Sequence, residues 1–247
     1  MASATSVEHE RVAGILPQPL ADAVTRACNA ISHNLNGQKM GRKGRITRER
    51  ILAATIDLLD DPDEEPITLS AVARRASLGM TSLYNYFTDL TELLLAVLEP
   101  VMATAEDTYL AQLRGYWRDE ELGARCLDFV IAYHQFWTRH SRLLHLRNSL
   151  ADQFDRRMMA QRIGASQPVI ELIAKQMEES AGYVRPQTSI MAAMMMITIE
   201  RSATLATDYS LAKLVGMAVS EHEVRFMRPG ARLMELAIRD MRANGAD

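Results

Sequence analysis

The sequence predicts an all-α protein with a small N-terminal helical domain and a larger helical domain behind it. Along most of the chain, apolar residues recur at helical rather than alternating spacing. Glycine is scarce, with 12 residues in 247, and hydrophobic residues make up 48% of the chain. A chain of this length can bury a sizeable core, in one large domain or two smaller ones.

Residues 1–38 are predicted to be an N-terminal extension. Helical spacing of apolar residues from Leu20 to Leu35 leaves two interpretations open, of which one is an extra helix, packed on the next domain or on a partner subunit. A partly disordered extension is the alternative. The segment from Asn34 to Lys43 contains Gly37 and Gly41 and is predicted to be a flexible link.

Three short helices are predicted between Arg45 and Phe87. The first opens at Thr47 and extends to Leu59, and the second is capped by Thr68. Only Ser77-Leu78-Gly79 separates the second helix from the third, and a turn that short is typical of a helix-turn-helix.

The third of these helices has a buried face and an uncharged polar face. Leu83 and Phe87 are four residues apart and are expected to be buried together. The outer face carries Met80, Thr81, Ser82, Tyr84 and Asn85. Such side chains suit base edges and phosphates, so we predict that this is a DNA-recognition helix.

A basic segment leads into these helices, although the whole chain has a formal net charge of −3. Its cations are Lys39, Arg42, Lys43, Arg45, Arg48 and Arg50, against the single acid Glu49. We interpret the segment as an arm and helix end that contact phosphates. A solvated basic linker is the alternative interpretation.

The run from Arg45 to Leu98 resembles the DNA-binding domain of the TetR family of bacterial transcriptional regulators. The matching residues are Ile51-Leu52-Ala53-Ala54, Thr68, Val72-Ala73, Ala76, Leu83-Tyr84, Tyr86-Phe87 and Leu93. Ser77 stands where the family usually has the turn glycine, and Gly79 where it has a helix-opening residue, which predicts an altered turn. Leu90 replaces a phosphate-binding Lys of many members, so that contact is not transferred.

The resemblance implies that residues 39–98 are the helix-turn-helix DNA-binding domain, with Arg45 and Thr47 near the backbone or minor groove. We predict phosphate contacts from Thr68, Ser82, Tyr84 and Tyr86, and base-edge contacts from Met80, Thr81 and Asn85. Two copies would read a palindromic operator in double-stranded DNA, because one short helix contacts too few base pairs.

Residues 99–247 are expected to form the ligand-binding and dimerisation domain of this family. A helix capped by Asp89 is predicted to be kinked or divided at Pro100. Further helices are predicted at Glu120–Arg139, Ser141–Phe154, Arg156–Glu179, Gln187–Thr207 and Pro229–Arg242. Gly164 and Pro168 are expected to divide the third of these, with breaks at 208–210 and 227–228.

Aromatic and methionine side chains make this domain a candidate site for a hydrophobic or aromatic effector. The candidate lining residues are Phe129, Tyr133, Phe136, Trp137, Met191, Met194 and Met195. Ordinary core packing is the alternative for each of them. The C-terminal leucines are expected to pair with their copies in a homodimer. The resemblance implies a repressor that its effector releases from the operator, although the family also contains activators.

No catalytic, metal or cofactor motif is present in the sequence. Cys28 and Cys126 lack metal-site spacing, and the six histidines include no HExxH pattern. We therefore expect no enzyme activity, metal or cofactor.

The chain has no membrane-spanning run or signal peptide, which favours the cytoplasm. Two alternatives remain: a helical enzyme or carrier with a vestigial head, and a helix-turn-helix protein that acts through a protein partner without an effector.

Overall fold

The computed structural model describes residues 18–31, 33–35, 37, 39–61, 66–178, 184–214, 216 and 219–244. Within these ranges every regular element is helical, which confirms the predicted all-α class. Outside the helices, His33 and Lys39 form an isolated antiparallel bridge. The chain divides into two compact units, one of Met1–Thr104 with Leu146–Met159 and the other of Ala105–His145 with Ala160–Asp247.

The first unit is built on five helices. They are α1 (Gln18–Ala30), α2 (Arg42–Leu59), α3 (Leu69–Arg75), α4 (Met80–Tyr84) and α5 (Leu90–Ala103). Helix α1 packs against α2 and α5, α2 also contacts α3 and α5, and α3 contacts α4. The core between them is aliphatic, and Ile51, Leu93 and Leu98 are completely buried there.

Helix α1 is the extra helix, the first of the two interpretations that the spacing of apolar residues leaves open. Leu20, Val24 and Cys28 lie on one face of the helix and are buried, so the helix joins the core of the first unit. Burial raises the pKa of Cys28 to about 12, so its side chain is a neutral thiol. The helix ends at Ala30, five residues before the predicted end. Residues 1–17 lie outside the described part of the chain.

Helix α2 begins at Arg42, five residues earlier than the predicted start at Thr47. The backbone of Gly41 is extended at its N-cap, and the Arg45 amide donates to the Gly41 carbonyl. The predicted flexible link of Asn34–Lys43 is therefore wrong at its C-terminal end. Because Met40 is 5% exposed, burial of its side chain anchors the chain just before the helix.

The second unit begins with a π-helix (Glu106–Leu110) and a 3-10 helix (Ala111–Leu113). The later helices are α6 (Leu122–Arg139), α7 (Ser141–Asp152), α8 (Arg156–Gln176), α9 (Pro186–Ala206), α10 (Tyr209–Leu214) and α11 (Val219–Ala243). Parts of α7 and α8 belong to the first unit. Helices α6, α9 and α11 pack against one another and form the centre of the second unit.

The predicted divisions of helices at proline residues are wrong, whereas the kink predicted as the alternative at Pro100 stays a prediction. Helix α5 continues through Pro100, α8 through Gly164 and Pro168, and α11 through Pro229. Helix α11 also includes Met227 and Arg228, where a break was expected, and starts ten residues before the predicted Pro229. Each proline removes one backbone hydrogen bond. In α5, burial of the neighbours Val97 and Val101 stabilises the continuous helix and compensates for the lost hydrogen bond.

The break predicted at 208–210 is confirmed at Asp208 only, because the next helix already begins at Tyr209. Helix α9 ends at Ala206, and the Asp208 carboxylate accepts a hydrogen bond from the Leu211 amide in α10, at 3.0 Å.

Among the described residues, no helix combines the length and the apolar character that crossing a membrane requires.

Candidate nucleic-acid interface and effector site

Helix α3 lies at the predicted position, whereas α4 ends at Tyr84, three residues before the predicted Phe87, and a short turn joins the two helices. The Thr68 hydroxyl accepts a hydrogen bond from the Ala71 amide at 3.1 Å, which confirms the predicted cap of α3. Ala71, Val72 and Ala73 bury one face of α3 against the unit. The Leu78 amide donates to the Ala73 carbonyl at 2.8 Å and fixes the direction in which the chain leaves α3.

The turn keeps a glycine-like conformation at Ser77. Its φ is +52°, in the left-handed region that favours glycine. Gly79 has an extended backbone with φ −75° and ψ 152°, as N-cap of α4. The left-handed residue of the turn is therefore Ser77 and not Gly79. Ser77 adopts the strained conformation itself, and Gly79 occupies a position that any residue can adopt.

The segment from Met80 to Phe87 separates buried and exposed residues as predicted. Leu83 and Phe87 are both 0% exposed, whereas Tyr84 is 50% exposed. Thr81 and Ser82 are also exposed, while Met80, Asn85 and Tyr86 are half-buried. Exposed hydroxyl groups are thus held on a helix whose other face is fixed in the core. Thr68, at the start of α3, is exposed as well.

Tyr86 and Asn85 are positioned by neighbouring segments of the chain. A Cβ placed at Gly44 in α2 would lie 3.8 Å from the Tyr86 hydroxyl. The Asn85 carbonyl accepts a hydrogen bond from the Leu35 amide at 3.2 Å. The bridge between His33 and Lys39 closes the segment that carries Leu35. The C-terminal end of α4 is therefore tied to the chain that precedes α2.

Fewer cations of the basic segment are exposed than the sequence indicates. Arg48 is only 9% exposed, and its guanidinium lies 4.4 Å from the centre of the Phe87 ring. It therefore serves as a cation–π partner in the core and not as a phosphate contact. Lys39, Arg42 and Lys43 are exposed. They are the cations of this segment that solvent reaches most freely.

Arg45 and Thr47 lie inside α2, not on an arm ahead of it. Arg45 is half-buried, and one of its terminal nitrogens donates to the Met40 carbonyl at 3.1 Å. The Thr47 hydroxyl donates to the Lys43 carbonyl at 3.0 Å. Both side chains are thus anchored on the first turns of the helix.

In the second unit, four of the candidate effector residues are buried. Phe129, Tyr133, Phe136 and Trp137 are each at most 4% exposed. The first three surround Tyr109, whose ring centroid lies 5.0 Å from that of Tyr133 and 5.2 Å from that of Phe136. These rings meet edge to face, which is a favourable aromatic arrangement.

The three candidate methionines of α9 lie in different environments. Met195 is 5% exposed and belongs to the core. Met194 is 56% exposed, on an outer face that it shares with Ile190 and Ile197. Met191 is half-buried. Helical periodicity separates neighbouring positions by about 100°, so the apolar run Met194–Met196 cannot face one interior site.

A buried polar group in this unit was missed by the sequence reasoning. His134 is 0% exposed, and its Nε2 lies 3.3 Å from the Ser202 hydroxyl in α9. His145 lies with its Nε2 3.0 Å from the Thr207 hydroxyl and its ring edge-on to Trp137 at 5.8 Å. Burial lowers the pKa of His134 to about 4. In the sequence, these groups appear only as polar residues within or beside otherwise apolar helices, and their spacing matches no metal-binding motif.

Within the described residues, no group of three or more His, Cys, Asp or Glu side chains is arranged to hold a metal ion. No protein-family model matches this chain, and no curated protein is significantly similar to it.

Proposed function

We propose that this protein is a ligand-responsive, sequence-specific DNA-binding transcriptional regulator of the TetR type. In this proposal α3, the turn and α4 form the helix-turn-helix, and α4 is the recognition helix. The protein acts as a repressor, and a hydrophobic or aromatic small molecule releases it from a palindromic operator.

The observation that carries the proposal is the division of the segment from Met80 to Phe87 into a buried and an exposed face. Leu83 and Phe87 are completely buried, while Tyr84 is half exposed beside the exposed Thr81 and Ser82. The buried face fixes the segment on the unit, and the exposed face of the five-residue helix is left available for contacts outside the unit. Its hydroxyl and aromatic tips are suited to phosphates and base edges in a major groove.

The charge next to these helices supports the same function. Lys39, Arg42 and Lys43 are exposed, and Arg45 is half-buried nearby in α2. Four such cations in each of two subunits would give a salt dependence of DNA affinity with a logarithmic slope of up to about −7. Arg48 does not count among them because it is buried against Phe87.

A homodimer fits both the DNA-reading geometry and the surface of the second unit. Ile190, Met194 and Ile197 form an exposed apolar stripe on α9. Leu233 and Leu236 are about half exposed on α11, which packs beside α9. A two-fold pairing through this surface would bury the stripe and supply two recognition helices.

The test is DNA binding by the purified protein across a salt series, using fragments that flank its own gene and a random-sequence duplex pool. Tyr84→Ala should weaken binding to every sequence about tenfold, because each of two subunits loses a phosphate hydrogen bond. Asn85→Ala should instead relax the preference at one position of each half-site. Tyr116→Ala is the matched control, because Tyr116 is 55% exposed in the second unit.

Sequence-selective binding that falls steeply with salt is the expected result. Binding that neither Tyr84→Ala nor Asn85→Ala alters would contradict the assignment of α4. Absence of binding at low salt would reject the regulator and leave the helical enzyme or carrier. Selective binding without any response to small molecules would favour a regulator that acts through a protein partner.

A further inference from the structure

The tautomer of His134 follows from the hydrogen bonds around it. The Ser202 hydroxyl donates its single hydrogen to the Ile199 carbonyl at 2.8 Å. It can therefore only accept from His134, whose Nε2 lies 3.3 Å away. The proton of the neutral imidazole is thus on Nε2, and Nδ1 carries a lone pair.

This Nδ1 lone pair is buried and has no hydrogen-bond partner among the described residues. The His134 side chain is 0% exposed, so bulk solvent does not reach it. Buried acceptors in folded proteins are nearly always satisfied, and one without a protein partner is completed by a bound water or another small molecule. The atom that would complete the site must be a donor, because Nδ1 can only accept.

The surroundings of His134 are apolar and aromatic. Val130 and Trp137 share its face of α6 by helical spacing, and both are at most 1% exposed. Ser202 lies on α9, and Thr207 follows the end of that helix as its C-cap. An apolar interior with few polar groups is the usual composition of a small-molecule site.

We propose that His134 Nδ1 is the hydrogen-bond acceptor that recognises the effector, and that the effector is a neutral, flat molecule with an N–H or O–H donor. The inference rests on the proposed function, because it names the effector class of that regulator. Ser202 is a positioning residue that holds the imidazole in the Nε2–H tautomer. The site lies beside the aromatic cluster on α6 and does not include Met191 or Met194.

The charge environment favours a neutral molecule. Burial is the cause that lowers the pKa of His134, with no charged group contributing. At His145 burial also lowers the pKa, but there Asp208 acts against it and Arg201 acts with it. A carboxylate or ammonium placed against His134 would lose its hydration without gaining a counter-charge.

The experiment compares two isosteric probes, indole and benzofuran, by isothermal titration calorimetry on the full chain without DNA. Indole carries an N–H group where benzofuran carries an oxygen. We expect indole to bind at least about tenfold more tightly, because benzofuran leaves Nδ1 unsatisfied. His134→Phe keeps a flat ring but removes the acceptor, and should abolish the difference. His140→Phe is the control and should retain it, and thermal unfolding verifies that both variants fold.

A second measurement reports on His134 directly. Long-range ¹H–¹⁵N correlation spectra of the histidine rings should show a neutral Nε2–H tautomer, with an Nδ1 signal that shifts on addition of indole. Equal affinity for the two probes, or no binding of either together with an unchanged Nδ1 signal, would overturn the proposal. An Nδ1 already hydrogen-bonded in the free protein would also overturn it, because water would then satisfy the site.

These outcomes are separable from failure of the proposed function. If the protein binds indole more tightly than benzofuran but binds no DNA, the site at His134 is supported and the regulator is rejected. DNA binding in a protein that does not discriminate the probes would reject the site alone. If both hold, indole should lower the DNA affinity of the wild-type protein and leave that of His134→Phe unchanged.

Discussion

Ser77 shows how one residue determines the path between α3 and α4. A left-handed φ costs a residue with a Cβ roughly 1–2 kcal/mol relative to the right-handed regions, but costs glycine almost nothing. Two residues later, Gly79 occupies an extended N-cap position without a side-chain hydrogen bond. A serine there would cap α4, and a Cβ at Gly79 would meet nothing within 4 Å.

We therefore predict that Ser77→Gly stabilises the protein by about 0.5–1 kcal/mol, because it relieves the left-handed strain. Gly79→Ser should add a few tenths of a kcal/mol through the new cap. Urea unfolding of both single variants and of the double variant measures these effects. A Ser77→Gly variant with a lower midpoint than the wild type would show that the serine side chain stabilises the turn by more than its strain costs.

His134 makes stability depend on pH. Burial lowers its pKa from 6.5 to about 4, so the unfolded chain binds more protons than the folded one between these values. Folding stability is therefore complete above pH 6.5 and falls as the pH drops towards 4. The contribution lost between pH 6.5 and pH 5 is roughly 2 kcal/mol.

Chemical unfolding at a series of pH values tests this linkage. His134→Gln should be less stable at pH 7 but should show a shallower decline between pH 6.5 and pH 5, because Gln does not titrate in this range. Parallel curves for the variant and the wild type would mean that other groups cause the decline.

At the level of elements, Arg242 fastens the end of α11 to the second unit. Its guanidinium donates to the carbonyls of Gln176 and Trp117, each at 2.9 Å, and to the Asp119 carboxylate at 2.6 Å. It also lies 4.4 Å from the centre of the Tyr116 ring. Only 6% of Arg242 is exposed, so these groups depend on it for their hydrogen bonds.

We predict that Arg242→Met destabilises the protein by about 3 kcal/mol, because buried carbonyls lose their donor. Arg239→Met is the matched control on the same helix. Arg239 is exposed and donates to the Asp119 carbonyl at 2.9 Å, and its loss should cost less than about 1 kcal/mol. Urea unfolding compares the two, and equal effects would show that Arg242 has no special role.

At the scale of the whole molecule, the exposed apolar stripe of Ile190, Met194 and Ile197 is the feature most relevant to assembly. Single exposed apolar residues are common, but this row lies on one face of one helix, with Leu233 and Leu236 on the neighbouring helix. A two-fold interface would use each of these residues twice. One substitution therefore has a doubled effect.

Ile197→Glu should raise the dissociation constant of the dimer at least about a hundredfold, because two apolar contacts are lost and two charges are introduced. Sedimentation equilibrium measures the change. Ile163→Glu is the control, since Ile163 and Ile197 are both 59% exposed and both lie in the second unit. Equal dissociation by both variants, or by neither, would place the interface elsewhere.

The sequence by itself determined the features that depend on local interactions. Apolar spacing placed α6 to α9 within a few residues of their ends, and side-chain caps at Thr68 and Asp89 marked the starts of α3 and α5. The spacing of Leu83 and Phe87 was sufficient to predict that both are buried, although α4 ends at Tyr84. The proposed contacts with DNA, the effector and a second subunit stay predictions.

Only the tertiary structure decided the features that depend on packing between distant segments. Arg48 is buried because Phe87, far along the chain, provides a face for its guanidinium. Helix α5 continues through Pro100 because burial of Val97 and Val101 outweighs one lost backbone bond. His134 pairs with Ser202, 68 residues away. No local pattern encodes such contacts, since their free energy comes from side chains that meet only in the folded chain.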